Sequence, residues 1–117
     1  MKDIVINSCF GGFGLSHEAI MKYSHLAKLN LLAVKKDSSI IPYDYYLDGI
    51  KEDEFYWSEY NLKRDDPDLV RVVKQMGDAA NGFAADLKVV SIPDDVKWHI
   101  AEYDGYEHVA EDHRTWS

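Results

Sequence analysis

The chain has 117 residues, 46% of them hydrophobic and 13% aromatic, so it is long enough for one domain with a core and too apolar for a disordered segment. A formal net charge of −8 excludes general binding to a nucleic-acid polymer, which needs a basic face. No apolar run approaches the ~20 residues of a membrane span, no basic-then-apolar leader is visible, and Cys9 is the only cysteine. A cytoplasmic, reducing setting and no membrane partner are therefore expected.

In chain order, Ile and Val enrichment over residues 2 to 8 predicts a central strand. A glycine-rich turn follows, Phe10-Gly11-Gly12-Phe13-Gly14. Ser16 then stands as the N-cap of a helix whose apolar positions Ala19, Ile20, Tyr23, Leu26 and Ala27 carry it to about Lys28, with Glu18 complementing its dipole. Leu31 to Lys35 reads as a short strand and Asp37-Ser38-Ser39 as a turn. The aromatic and acidic stretch from Ile40 to Tyr60 reads as two strands around Asp48-Gly49, or as a partly ordered insertion, because Pro42 and the run Lys51-Glu52-Asp53-Glu54 weaken the pattern.

A second helix starts at the cap Asp66 with Pro67 in its first turn, shows an apolar stripe of Leu69, Val70, Val73 and Met76, and stops near Asn81-Gly82. Leu87 to Ile92 is a strand closed by Pro93. Val96, Trp98 and Ile100 alternate with polar or small neighbours, and Asp104-Gly105 is a hairpin signal returning through Tyr106 to Ala110. The order β-α-β-β-β-α-β-β-β predicts one α+β domain over residues 1–117, with two helices packed on a mostly antiparallel β-sheet.

The glycine turn is the strongest functional signal. Three glycines in four positions let a backbone bend and approach another group closely, and amides at a helix start favour an anion such as a phosphate. The spacing is neither the dinucleotide fingerprint nor a P-loop. A tight turn that sends its phenylalanines into the core is the competing explanation. Three arginines offer themselves to a phosphate: Arg64, Arg71 and Arg114. The ending His113-Arg114-Thr115-Trp116 pairs a phosphate clamp with a stacking ring, or else a ring that plugs a sheet edge beside an ion-paired arginine. His17-Glu18 begins like a zinc motif, but Met21 stands where the second histidine belongs. No metal and no cofactor is expected. Cys9 with His17 as base would make a nucleophile, against the commoner reading of a buried thiol.

Two blocks together carry a resemblance. They are Ile4-Val5-Ile6-Asn7 through Cys9-Phe10-Gly11-Gly12-Phe13-Gly14-Leu15-Ser16, and Leu87 to Asp95 followed by Glu102-Tyr103-Asp104-Gly105 and His113-Arg114-Thr115-Trp116. With Asp66-Pro67-Asp68-Leu69-Val70 between them, the chain resembles a family of small phage and prophage proteins with no established activity, residues 30 to 64 being the variable part. The resemblance implies a phage setting and, from it, a protein that counters host defence. The expectation is a non-enzymatic sponge, a homodimer or larger, that sequesters a nucleotide-derived immune signal: a cyclic ADP-ribose isomer, an ADP-ribose conjugate or a cyclic dinucleotide. Gly11, Gly12, Gly14 and Ser16 would hold phosphate or ribose, and Asn7 a base or sugar edge. Phe10, Phe13 or Trp116 would stack, worth ~1–3 kcal/mol per ring. Arg114 would neutralise a phosphate, with His113 beside it. Two alternatives stand. One is an inhibitor that docks its acidic, tyrosine-rich segment 43–60 on a host defence protein; the other is an enzyme that cleaves a nucleotide signal, with His113 as acid or base.

Overall fold

The computed structural model describes residues 1–37 and 42–112, and so leaves out the predicted turn at Ser38-Ser39 and the terminal His113-Arg114-Thr115-Trp116. Its elements are β1 (Lys2–Asn7), α1 (His17–Leu26), β2 (Leu31–Lys35), β3 (Tyr43–Leu47), β4 (Tyr56–Trp57), α2 (Pro67–Met76), β5 (Leu87–Ile92), β6 (Trp98–Tyr103) and β7 (Tyr106–Glu111). This is the predicted order, in an α+β fold.

Each helix starts on local chemistry. The Ser16 hydroxyl accepts from the Ala19 amide at 3.1 Å and donates to the Ala79 carbonyl at 2.7 Å. The Asp66 carboxylate accepts from the Asp68 and Leu69 amides, with Pro67 next, where a missing N–H costs nothing. Helix α2 stops earlier than expected. Gly77 caps it at φ 58°, and Gly77–Ala80 tightens into a 3₁₀ turn before Asn81-Gly82.

The strands pair differently from one continuous sheet. Three separate antiparallel ladders form: β1 with β5, β2-β3-β4, and the hairpin β6-β7. The Asp104-Gly105 turn closes that hairpin with Tyr103 opposite Tyr106. The 40–60 stretch supplies a full strand, β3, but only a two-residue partner, β4, set so that Tyr45 faces Trp57. A 3₁₀ turn at Asp53–Phe55 replaces the rest of the expected second strand.

The sequence predicts a central strand for β1, yet among the described residues it pairs with β5 alone. Its second edge is instead covered by side chains and an isolated carbonyl. The Val5 amide donates to the Arg64 carbonyl at 2.8 Å, and the Asn7 amide to Glu107 Oε1 at 2.8 Å. Arg64 Nη1 reaches the Val5 carbonyl at 3.3 Å. Arg64 and Glu107 are themselves joined by two bonds, of 2.5 and 2.9 Å. A bidentate ion pair thus takes the place of a neighbouring strand, which satisfies backbone groups that would otherwise be stranded beside a buried strand.

The core lies between the helices and these ladders. Ile4, Val5, Ala19, Leu69 and Val72 have no exposed surface, with Phe13, Leu15, Ile20, Tyr23, Tyr45 and Trp57 around them. The Tyr23 hydroxyl of α1 donates to Asp66 at the start of α2, at 2.7 Å. Stacking of Tyr23 on Trp57 ties α1 to β4.

Candidate functional site

A cavity of about 300 Å³ opens where the glycine turn, the start of α1, the β3–β4 segment and the loop 82–84 meet. The volume is at the small end of ligand pockets, enough for a single ring system and its nearest substituents. Rings from five parts of the chain line it: Phe13, His17, Tyr43 and Tyr45, Tyr56 to Tyr60, and Phe83. The His17 imidazole stacks on Tyr43 at 3.9 Å and 15°. Its Nδ1 lies 2.7 Å from the Tyr45 hydroxyl. Deeper in, Phe13 and Trp57 are nearly enclosed, whereas Tyr60 (70%), Phe83 (75%) and Tyr56 (49%) stand exposed at the rim.

Glu59 is the one carboxylate among the described lining residues, and no Lys or Arg accompanies it. It sits at the start of a 3₁₀ turn capped by Ser58, and its Oε2 accepts the Leu15 amide at 3.0 Å. Burial pushes its carboxyl above the usual carboxylate range, against the opposing pull of the Leu15 amide. Burial first, and the negative Glu59 second, push the Tyr45 hydroxyl up, so that it stays neutral.

The shift on Glu59 has a stability consequence. A carboxyl whose folded pKa lies above its unfolded value of 4.5 supports the fold while protonated, and that support is lost as the pH rises through the folded value. Glu59→Gln keeps the acceptor for Leu15 and removes the charge. The variant is therefore expected to melt higher than the wild type at pH 8, with the gap closing as the pH falls to 4. Thermal melts across that range check it; a gap that widens on acidification would reverse the sign.

The residues singled out in the sequence divide. Gly11, Gly12, Phe13 and Gly14 line the cavity. The closest approach of the glycines, however, is to the chain's own backbone. A Cβ on Gly11 would lie 1.8 Å from the Ala84 carbonyl oxygen, and one on Gly105, where φ is +85°, 2.7 Å from the Gly11 oxygen. The Gly12 amide already donates to Ala84 at 3.1 Å, and Gly82 donates to Gly14 at 3.0 Å. At Gly11, Gly82 and Gly105 the close approach is thus to the chain's own backbone; three loops interlock there, and the turn and the 82–84 loop form a cavity wall.

Asn7 departs from its expected role. It has no exposed surface, and the chain takes up both ends of its amide. Nδ2 donates to the carbonyls of Cys9 (2.9 Å) and Gly105 (2.8 Å), while Oδ1 accepts from the Asp86 amide at 2.8 Å. It joins β1 to the β6–β7 turn and to the entry of β5, and offers nothing to a base or sugar. Ser16 is the helix cap described above and lies outside the lining. Phe10 also lies outside: it is 68% exposed and packs against Tyr106 at 5.1 Å. Cys9 turns its thiol to Asn7 Oδ1 and the Ala84 carbonyl, while the Nδ1 of its presumed base, His17, is engaged by Tyr45. His113, Arg114 and Trp116 lie outside the described residues.

Sequence reasoning missed Glu59, Ser58 and Phe83 altogether. The density of Tyr and Trp over 43–60 was visible, but nothing in its spacing placed it beside the glycine turn. Of that segment, Tyr45 and Trp57 enter the core, and Tyr43, Tyr56 and Tyr60 line the cavity. Among the described residues no three His, Cys, Asp or Glu side chains gather as a metal centre would, and no helix is long and apolar enough to cross a membrane. The chain matches no protein-family model, and neither a curated protein nor a solved structure is found similar to it.

Proposed function

We propose that the protein binds a nucleotide-derived small molecule without turning it over, seating the base among the rings of the cavity and leaving sugar and phosphate toward the mouth. The observation that carries this reading is the aromatic enclosure. A flat, polar-edged ring fits between Tyr43, Trp57, Tyr60 and Phe83, and each ring stacked on a base contributes ~1–3 kcal/mol. The lack of Lys or Arg in the described lining favours the base, rather than the phosphate, as the buried end. Together with the resemblance to phage proteins, binding without turnover gives the role of a sponge for a host immune signal, working in the host cytoplasm. A second copy of the chain would cover what the small cavity leaves outside, hence a homo-oligomer.

The test mixes purified protein in slight excess with cyclic dinucleotides and cyclic ADP-ribose isomers, filters, and then heats the retained protein. A ligand that vanishes from the filtrate and returns intact on heating is the expected result. Return as a cleaved product would make the protein an enzyme, and a panel left undepleted would remove the nucleotide reading. Tyr60→Ala and Phe83→Ala, both at exposed rim positions, are expected to weaken retention about 5- to 100-fold without moving the melting temperature.

A further inference from the structure

We propose that the cavity, through Glu59, selects a planar heterocycle with two adjacent N–H donors on one edge, of which guanine is the natural example. The inference rests on the nucleobase reading above and goes further, to which base. Three observations carry it.

The first is the sign of the polar wall. The described lining holds one carboxylate and no Lys or Arg, so a ring edge that meets the Glu59 carboxylate must donate. The second is geometry. The Leu15 amide holds Glu59 Oε2 at 3.0 Å and so fixes the direction of the carboxylate, and the Glu59 amide itself also favours the charged form. A carboxylate offers about four acceptor positions over its two oxygens. The two backbone amides take up to two of these, and the remaining positions can meet two parallel N–H groups, the fork formed by N1–H and the 2-amino group of guanine. The third is the surroundings. Phe13, Tyr45 and Trp57 are largely buried around this part of the cavity and Glu59 is half-buried, which reduces the competition from water for the carboxylate. Burial pushes the Glu59 carboxyl upward despite the two backbone amides that favour its charged form. An adenine edge would set its N1 lone pair against one of the oxygens and is disfavoured for that reason.

The experiment titrates the wild-type protein with guanosine, inosine and adenosine by calorimetry. Inosine keeps N1–H and lacks the 2-amino group, so it separates the two donors. Guanosine is expected to bind about 10- to 100-fold more tightly than adenosine, with inosine between them. Glu59→Gln presents one acceptor and one donor, the pattern that complements adenine. It should level or reverse the order while retaining a cooperative melt. Equal affinities for the three nucleosides would overturn the selectivity and leave the nucleobase site standing. Binding of none would overturn both. A guanosine preference that survives unchanged in Glu59→Gln would overturn the role given to Glu59.

Discussion

Arg64→Ala is expected to destabilise the protein by about 3 kcal/mol or more, the largest loss from any single charge removal in the described structure. Three contacts disappear together. The guanidinium makes a bidentate pair with Glu107, reaches the Val5 carbonyl, and lies over the Phe13 ring at 3.6 Å. The Glu107 side chain is only 9% exposed, so removing its partner leaves a carboxylate that water reaches poorly. Deleting one member of such a pair typically costs about 3–5 kcal/mol, much of it the stranding of the survivor. Glu107→Gln should cost less, because its amide oxygen still accepts from Asn7 and the charge left behind, on Arg64, is the more exposed of the two (19% against 9%). In the double variant the two losses should not add, and the shortfall measures the coupling. Arg64→Lys should recover little, because an ammonium cannot form the two-pronged contact. Urea denaturation of the four proteins checks this; an Arg64→Ala loss below about 0.5 kcal/mol, the level of an ordinary surface change, would show that β1 keeps its edge by other means.

Gly11→Ala is expected to be the most damaging change in the glycine turn. The new methyl would meet the Ala84 carbonyl oxygen at 1.8 Å and its carbon at 2.7 Å, both of them backbone atoms that cannot rotate away. Either the turn or the loop 82–84 must shift, and the Gly12–Ala84 hydrogen bond goes with it. Overpacking normally costs about 1–3 kcal/mol; a backbone clash this close belongs at or above the top of that range. Both segments line the cavity, so ligand retention should fall as well. Gly14→Ala is the control, since its Cβ would lie an ordinary 3.9 Å from Gly82. It is expected to cost less than about 1 kcal/mol, in line with other tolerated small changes. Thermal melts of the two variants side by side decide the matter. Equal, small losses would mean that the loops are not interlocked.

What could be read from the chain, and what could not, follows the range of the interactions. The caps at Ser16 and Asp66-Pro67, the hairpin at Asp104-Gly105 and the strands Leu31–Lys35 and Leu87–Ile92 depend on neighbours within a few residues, and all of them stand where their residues predict. The partners do not. The Leu15–Glu59 bond spans 44 positions, Arg64–Glu107 43, and Asn7–Glu107 100. No periodicity reports on such distances. The glycine turn shows both sides of this. Its sequence announces a close backbone approach, and a close approach is there, but glycine carries no mark of whether the neighbour is a ligand or the chain itself. Asn7 misled for a similar reason: a polar residue at the end of an apolar strand reads equally as a contact offered outward or as a knot tied inward.

The borrowed edge of β1 also bears on the order in which the protein can be made. Ile4, Val5 and Ile6 form a short, wholly apolar segment, and backbone groups along the open side of β1 are met by Arg64 at Val5 and Glu107 at Asn7. On the ribosome that strand is completed at Asn7, 100 residues before Glu107. Through almost the whole of translation it is an uncapped strand able to recruit another chain's edge. Concentration during expression, rather than the stability of the finished fold, then becomes the condition that decides between folded protein and aggregate.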